Sequence, residues 1–185
     1  MRILGVDPGS NATGIGLIER QGSRVTHVHH AVIRPPSGAD LAVRLDHLHR
    51  ELGQAVVEFA PEVAVVERVF LASNPRSALV LGQARGALLA CLGAAGVRVA
   101  EIAAREAKKA ITGAGGADKG QMQQMVKRLL SLPKAPPTDA ADALALALAH
   151  AQAGALADLP IRGRRRNHRR AMTEALARRT TGTSS

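Results

Sequence analysis

Apolar residues recur along the chain with two different spacings, one typical of strands and one of helices. Three runs with strand-like patterning open the chain, over residues 2–7, 13–19 and 24–33. Only short turns separate them, so they are expected to form an antiparallel meander. Two further apolar runs, over residues 62–70 and 97–104, are typical of buried strands.

Helical spacing of apolar residues predicts five helices around these strands. They are expected over residues 39–60 and 77–95, and from about residues 105, 119 and 138 onward. In the first of them, leucines recur every three or four positions. The element order βββαβαβααα predicts an α/β domain in which α-helices flank a mixed five-stranded sheet.

Positive charge is concentrated at the carboxyl-terminal end of the chain. Residues 160–185 hold eight arginines and one glutamate, which contribute +7 to the net charge of +10. The sequence therefore predicts one folded domain over residues 1–159 and a basic, disordered arm over residues 160–185. Such an arm suits a polyanion such as nucleic acid, and a merely solubilising tail is the alternative.

Neither a disulfide nor a membrane segment is expected. Cys91 is the single cysteine, which excludes an internal disulfide and a cysteine-cluster zinc site. The opening apolar run is too short for a signal peptide. Gln83 and Arg85 interrupt the most apolar helix, which argues against a membrane span. We expect a cytoplasmic protein.

Four carboxylates occupy unusual places in this pattern. Asp7 ends the first strand and precedes a Pro-Gly turn, while Glu67 lies within the apolar run "AVVERVF". Placing a charged group inside such a strand raises the free energy of the folded state unless the group is paired or binds a cation. Asp139 and Asp142 lie three residues apart at the start of a helix made almost wholly of Ala and Leu, so they share one face.

Carboxylate oxygens favour a hard divalent cation, Mg²⁺ or Mn²⁺, over zinc. Two such ions, roughly 4 Å apart, can clamp the attacking and leaving oxygens of a phosphodiester. Asp7 would bridge them if the first strand and the strand of Glu67 are neighbours. Two plainer interpretations stay open: Asp7 could belong to an ordinary turn, and Asp139 could cap its helix.

The glycine-rich stretch "TGAGGADKG" invites comparison with a phosphate-binding loop. It fails the P-loop pattern, because Asp118 stands at the second glycine position and Gly120 at the Ser/Thr position. It also follows a predicted helix instead of a strand. We interpret it as a mobile loop that presents Lys119.

Four segments together resemble the RuvC family of bacterial Holliday junction resolvases. They are "ILGVDPGSNATGIGLIE", "VVERVFLASNPRSALVLGQARGALL", "AAREAKKAITGAGGADKGQMQQMV" and "DAADALALALAH". The likeness runs in order from residue 2 to about residue 150. This makes it far more specific than any single motif.

The resemblance implies an RNase H-like fold, a homodimer and Mg²⁺-dependent cleavage of four-way DNA junctions by two symmetric nicks. It implies that the catalytic acids, which would also hold two metal ions, are Asp7, Glu67, Asp139 and Asp142. Phe70 matches a family aromatic that meets DNA at the branch point, and Lys108 and Lys119 match lysines near the scissile phosphate. The family further implies the RuvA-RuvB branch-migration complex as a partner.

Three other functions fit parts of the sequence. Actin-like kinases and chaperone ATPases begin with a similar turn, but they need a second domain that 185 residues cannot supply. A non-catalytic basic DNA-binding module explains the charge and leaves the placed acids unexplained. An RNA-processing nuclease of the YqgF type shares the opening turn but would lack the long "VERVF…LGQARG" block.

Overall fold

The helices and strands follow one another in the predicted order. The structure is a computed structural model that describes residues 1–68, 74–113 and 118–157. Its elements are β1 (Arg2–Asp7), β2 (Thr13–Gln21), β3 (Arg24–Ile33), α1 (Leu41–Phe59), β4 (Val63–Arg68), α2 (Pro75–Ala94), β5 (Arg98–Ala103), α3 (Ala104–Thr112), α4 (Lys119–Leu129) and α5 (Thr138–Ala157). The predicted α/β class is confirmed.

The five strands form one mixed sheet in the order β3-β2-β1-β4-β5. β1, β2 and β3 are the expected antiparallel meander. β1 also pairs in parallel with β4, and their last register pair is Val6 with Val66. The next residues along these two strands are Asp7 and Glu67. Because parallel strands end at the same edge of a sheet, both carboxylates reach one place.

Two helical layers cover the sheet, and aliphatic side chains fill both interfaces. α3, α4 and α5 pack on the face that carries Ile3, Val63 and Val65. α1 and α2 pack on the opposite face, which carries Leu4 and Val66. Alternation along a strand therefore places the side chains of Asp7 and Glu67 on the face that α5 covers.

α5 lies unusually close to the backbone of β1 and β2. A Cβ atom at Gly5 would stand 1.8 Å from the carbonyl oxygen of Ala143, and one at Gly14 would stand 1.9 Å from that of Asp139. Any side chain at these strand positions would therefore push the helix away. The glycines of the "GVDPGSNATGIG" segment allow the first turns of α5 to lie directly over the ends of β1 and β2.

The start of one helix differs from the sequence prediction, and the start of another agrees with it. α2 begins at Pro75, not at residue 77, because the Asn74 side chain accepts hydrogen bonds from the backbone amides of Arg76 and Ser77 and caps the helix. α4 begins at Lys119, as predicted, so Lys119 is presented by the first turn of a helix and not by the glycine-rich stretch before it. The domain boundary at residue 159 and the arm over residues 160–185 lie outside the described residues.

α2 is long and apolar enough to cross a membrane by length and composition alone, the one such helix in the described part of the chain. A single helix of this kind is weak evidence for a span, since core helices of soluble proteins meet the same criteria. Here Ala84, Leu88 and Leu92 are fully buried in the core that α2 shares with α1 and the sheet.

Candidate active site

All four predicted acids come together at one edge of the sheet. Asp7 ends β1, Glu67 is the penultimate residue of β4, and Asp139 and Asp142 lie in the first turns of α5. The carboxyl of Asp7 is hydrogen-bonded to that of Glu67 and is close enough to Asp139 and Asp142 to feel their charges. Two elements far from β1 in sequence, β4 and α5, thus place three acids around Asp7.

The environment of Asp7 strongly favours its protonated form. Burial is the largest cause, followed by the hydrogen bond to Glu67 and by repulsion from Glu67, Asp142 and Asp139. Together they raise the pKa of Asp7 from 3.8 to about 9. A carboxylate that cannot ionise without a compensating cation is typical of a functional site.

Two lysines counterbalance the acids on one side of the site. Burial raises the pKa of Asp142, and Glu67 and Asp139 raise it further, while the nearby charges of Lys108 and Lys119 lower it. Lys108 also lines a cleft of about 170 Å³ together with Glu67, Asp142 and apolar side chains of α3, α4 and α5. The structure therefore brings both predicted lysines to the acids.

A further cation, which the sequence did not indicate, lies on the opposite side. Arg34 follows β3, and its Nη2 is 3.9 Å from Oδ2 of Asp139. The Arg34 side chain is 62% exposed and that of Asp139 is 37% exposed, so this is a loose pair at the rim. Positive groups thus flank the acid cluster on both sides.

Asp139 does not cap its helix. The backbone amide of Ala141 donates to the carbonyl of Pro137 at 2.8 Å, so Pro137 occupies the N-cap position and Asp139 lies two residues inside the helix. This position keeps Asp139 on the same face as Asp142, towards Asp7. The capping interpretation of Asp139 is therefore wrong.

The turn after Asp7 is fixed by side chains from two other elements. The fully buried Thr13 hydroxyl donates to the Gly9 carbonyl at 2.9 Å and accepts from the Gly9 amide at 3.3 Å. Nη2 of Arg44, from α1, donates to the Ser10 carbonyl at 2.5 Å and to Oδ1 of Asn11 at 2.7 Å. These bonds hold the chain clear of the space beside Asp7.

The donor set fits divalent cations that prefer oxygen. As the side chains stand, no three described His, Cys, Asp or Glu residues already surround a common point at coordination distance. Asp7 and Glu67 instead share a hydrogen bond that requires a proton on one of them. A divalent cation would replace this proton and compensate the same repulsion. Asp7, Glu67, Asp139 and Asp142 are the residues that would hold it.

Phe70, the predicted DNA-contacting aromatic, lies outside the described residues. Its place in the chain follows β4 two residues after Arg68. It therefore remains a prediction from sequence.

Comparison with known proteins matches the sequence and the fold of this chain to one family. The model of the family "Crossover junction endodeoxyribonuclease RuvC" matches residues 3–150. A RuvC from Geobacter sulfurreducens is 46% identical over 156 residues, which cover 84% of this chain and 95% of the relative. One from Burkholderia vietnamiensis is 50% identical over 154 residues, which cover 83% of this chain and 85% of the relative.

Solved structures agree with the sequence comparison. The structure of Thermus thermophilus RuvC in complex with Holliday junction substrate superimposes with a TM-score of 0.79 at 31% identity, covering 85% of this chain and 96% of that chain. The predicted RNase H-like fold is thereby confirmed. On the family match, the extent of the alignments and the shared fold, this chain belongs to the RuvC family of crossover junction endodeoxyribonucleases.

Proposed function

We propose that the protein resolves four-way DNA junctions by two symmetric nicks, through hydrolysis that depends on two Mg²⁺ ions, for which Mn²⁺ can substitute. Asp7, Glu67, Asp139 and Asp142 are the residues that would hold the ions. The observation that carries the proposal is the gathering of three further carboxylates around a half-buried Asp7 whose pKa is raised to about 9. This excess of negative charge favours divalent cations over a single proton.

The residues around the acids have separable tasks. When bound, the ions supply Lewis-acid activation of water and stabilise charge on the leaving oxygen. Lys108 and Lys119 lie beside Asp142, where they attract a phosphate and offset the charge that develops on it. The apolar wall of the adjoining cleft, with Met122 and Leu146, excludes water from one side of the site.

The substrate is proposed from the family and from Phe70. The Thermus thermophilus RuvC was solved in complex with Holliday junction substrate. We expect Phe70 to stack on unpaired bases near the branch point, where an aromatic ring stabilises splayed nucleotides. We also expect the branch-migration complex RuvA-RuvB as a partner and the cytoplasm as the location.

Two nicks at symmetric positions require two active sites related by a two-fold axis, which a homodimer supplies. The outward face of α2 is the surface that we propose for this contact. It carries Leu79, which is 63% exposed, and Gly82, Gly86 and Gly93, where an added Cβ atom would meet nothing within 4 Å. This flat apolar face allows two copies of α2 to pack closely.

The decisive experiment presents a synthetic four-way junction and a linear duplex of the same sequence with Mg²⁺. The wild-type protein should place paired nicks in the junction and leave the duplex intact. Glu67→Gln should bind the junction in EDTA but not cut it. Glu58→Gln, which neutralises an exposed glutamate of α1, is the matched control and should cut normally. Equal cleavage of both substrates, or cleavage by Glu67→Gln, would overturn the proposal.

A further inference from the structure

Arg85 is a charged residue in the middle of the largely apolar helix α2, and its side chain reaches the backbone of Glu67. It projects from α2 with only 21% of its side chain exposed. Its Nε donates to the carbonyl oxygen of Glu67 at 3.2 Å. Its Nη2 forms a short ion pair with the carboxylate of Glu101 on β5. One guanidinium thus joins α2 to the ends of two neighbouring strands.

Arg85 approaches β4 from the layer opposite to the active site. The carboxylate of Glu67 lies on the α5 face, like Val65, whereas Val66 and the core of α2 lie on the other face. Arg85 therefore lies on the opposite face of the sheet from the Glu67 carboxylate and contacts Glu67 only at its backbone carbonyl. It can act on catalysis only through the backbone of Glu67.

The end of β4 needs such support because its ladder with β1 stops one residue earlier. The last β1–β4 register pair is Val6 with Val66, whereas β5 continues alongside β4 as far as Arg68. Glu67 is therefore held by strand pairing on one side only. Nη2 of Arg68 adds a long contact of 3.4 Å to the Glu101 carbonyl, which ties the same strand ends together.

We propose that Arg85, oriented by Glu101, is a positioning residue that fixes the backbone of Glu67 so that its carboxylate can share a divalent cation with Asp7. A planar guanidinium donates in two directions at once, to the carbonyl and to the carboxylate, and a lysine ammonium at the end of a flexible stem does not reproduce this fork. The inference rests on the proposed metal-dependent function. It also gives α2, the proposed dimer surface, a direct connection to each active site.

Measuring the affinity for a metal ion distinguishes a positioning role of Arg85 from a general contribution of Arg85 to the stability of the fold. The experiment compares wild-type protein with Arg85→Lys, which keeps the charge, and Glu101→Gln, which keeps an oxygen acceptor for Arg85. Arg50→Lys is the matched control, because Arg50 forms an exposed pair with Asp46 on α1 at 2.9 Å, away from the acids. Mn²⁺ affinity is measured by calorimetry on the full chain without DNA, and junction affinity is measured in EDTA.

Arg85→Lys should weaken Mn²⁺ binding by about 10- to 100-fold, the usual effect of removing a group that orients a ligand. The Mg²⁺ concentration needed for half-maximal cleavage should rise by a similar factor, and high Mg²⁺ should restore part of the rate. Junction affinity in EDTA, sedimentation as a dimer and the Arg50→Lys control should stay within about twofold of wild type. Glu101→Gln should shift metal affinity in the same direction by a smaller factor.

Two results would overturn the inference. One is Mn²⁺ affinity of Arg85→Lys equal to that of Arg50→Lys. The other is a loss of activity in Arg85→Lys that disappears once the activity is corrected for the fraction of unfolded or monomeric protein. If Arg85→Lys does not fold, the same measurements on Glu101→Gln decide. A wild-type protein that binds no Mn²⁺ or cuts no junction would instead refute the proposed function.

Discussion

Replacing Asp7 by asparagine should stabilise the metal-free protein at neutral pH while it abolishes cleavage. The amide keeps the size of the carboxyl and can still donate a hydrogen bond to Glu67. It removes the carboxyl group of Asp7, which the folded protein keeps protonated at neutral pH. A residue that served only the fold would show the opposite sign, because its loss would lower the free energy of unfolding.

The magnitude follows from the two pKa values of Asp7. In the unfolded chain the proton is released near the ordinary value of 3.8, whereas in the folded protein the pKa is about 9. Between these values the folded state binds one more proton than the unfolded state, so wild-type stability falls as pH rises, by up to about 1.4 kcal/mol per pH unit. At pH 7 we expect the Asp7→Asn protein to be more stable by about 2–4 kcal/mol.

Urea unfolding in EDTA at a series of pH values measures this directly. The stability difference between Asp7→Asn and wild type should be small near pH 4 and should grow steadily towards pH 8. Asp46→Asn, which neutralises an exposed acid of α1, should change stability by no more than about 0.5 kcal/mol. Parallel pH curves for wild type and Asp7→Asn would refute the reasoning, as would an Asp7→Asn protein that is less stable at every pH.

Three other substitutions and one truncation test separate parts of the protein. Asp139→Asn should fold normally, since Asp139 is not the helix cap, and should lower cleavage of a junction in Mg²⁺; a wild-type rate would remove it from the ligand set. Phe70→Ala should cost about 1–3 kcal/mol in junction binding if one base stacks on the ring, and mismatches that pre-open the branch point should recover part of its nicking rate. Equal rates on normal and opened junctions would exclude stacking. Removal of residues 160–185 should weaken binding to junction and duplex alike and reduce its salt dependence, as measured by titration at several salt concentrations; a loss of junction preference alone would show that the arm recognises structure. A side chain at position 86 has open space in the monomer, so Gly86→Leu should stabilise α2 by up to about 1 kcal/mol. If α2 forms the dimer contact, the same variant should sediment as a monomer.

The sequence was most informative where a pattern is local. The strand runs, the helical leucines and the acids at the ends of predicted elements identified the sheet and placed Asp7, Glu67, Asp139 and Asp142 in one functional set. The start of α4 near residue 119 was also predicted correctly. Asp118 and Gln121 form a reciprocal capping box there, in which the Gln121 backbone amide donates to Asp118 Oδ1 at 2.8 Å.

Interactions between distant elements were beyond the reach of the sequence pattern. Arg34 and Asp139 are separated by more than a hundred positions, and only the packing of α5 beside β3 brings them together. Arg85 was noticed only as a charge that interrupts an apolar helix. Its partners, Glu67 and Glu101, lie on two different strands, and no periodicity within α2 identifies them.

The glycine contacts between α5 and the strands have a consequence for how this domain can change over generations. At Gly5 and Gly14 the main chain of a strand meets the main chain of α5, so these two contacts, which set the spacing between Asp7 and the α5 acids, do not depend on the volume of a core side chain. Aliphatic residues elsewhere in the core can therefore be exchanged, one for another of similar size, with these two contacts kept. Core residues can thus change over generations while the four acids keep their positions. Gly5 and Gly14 are the two positions at which even alanine should be rejected.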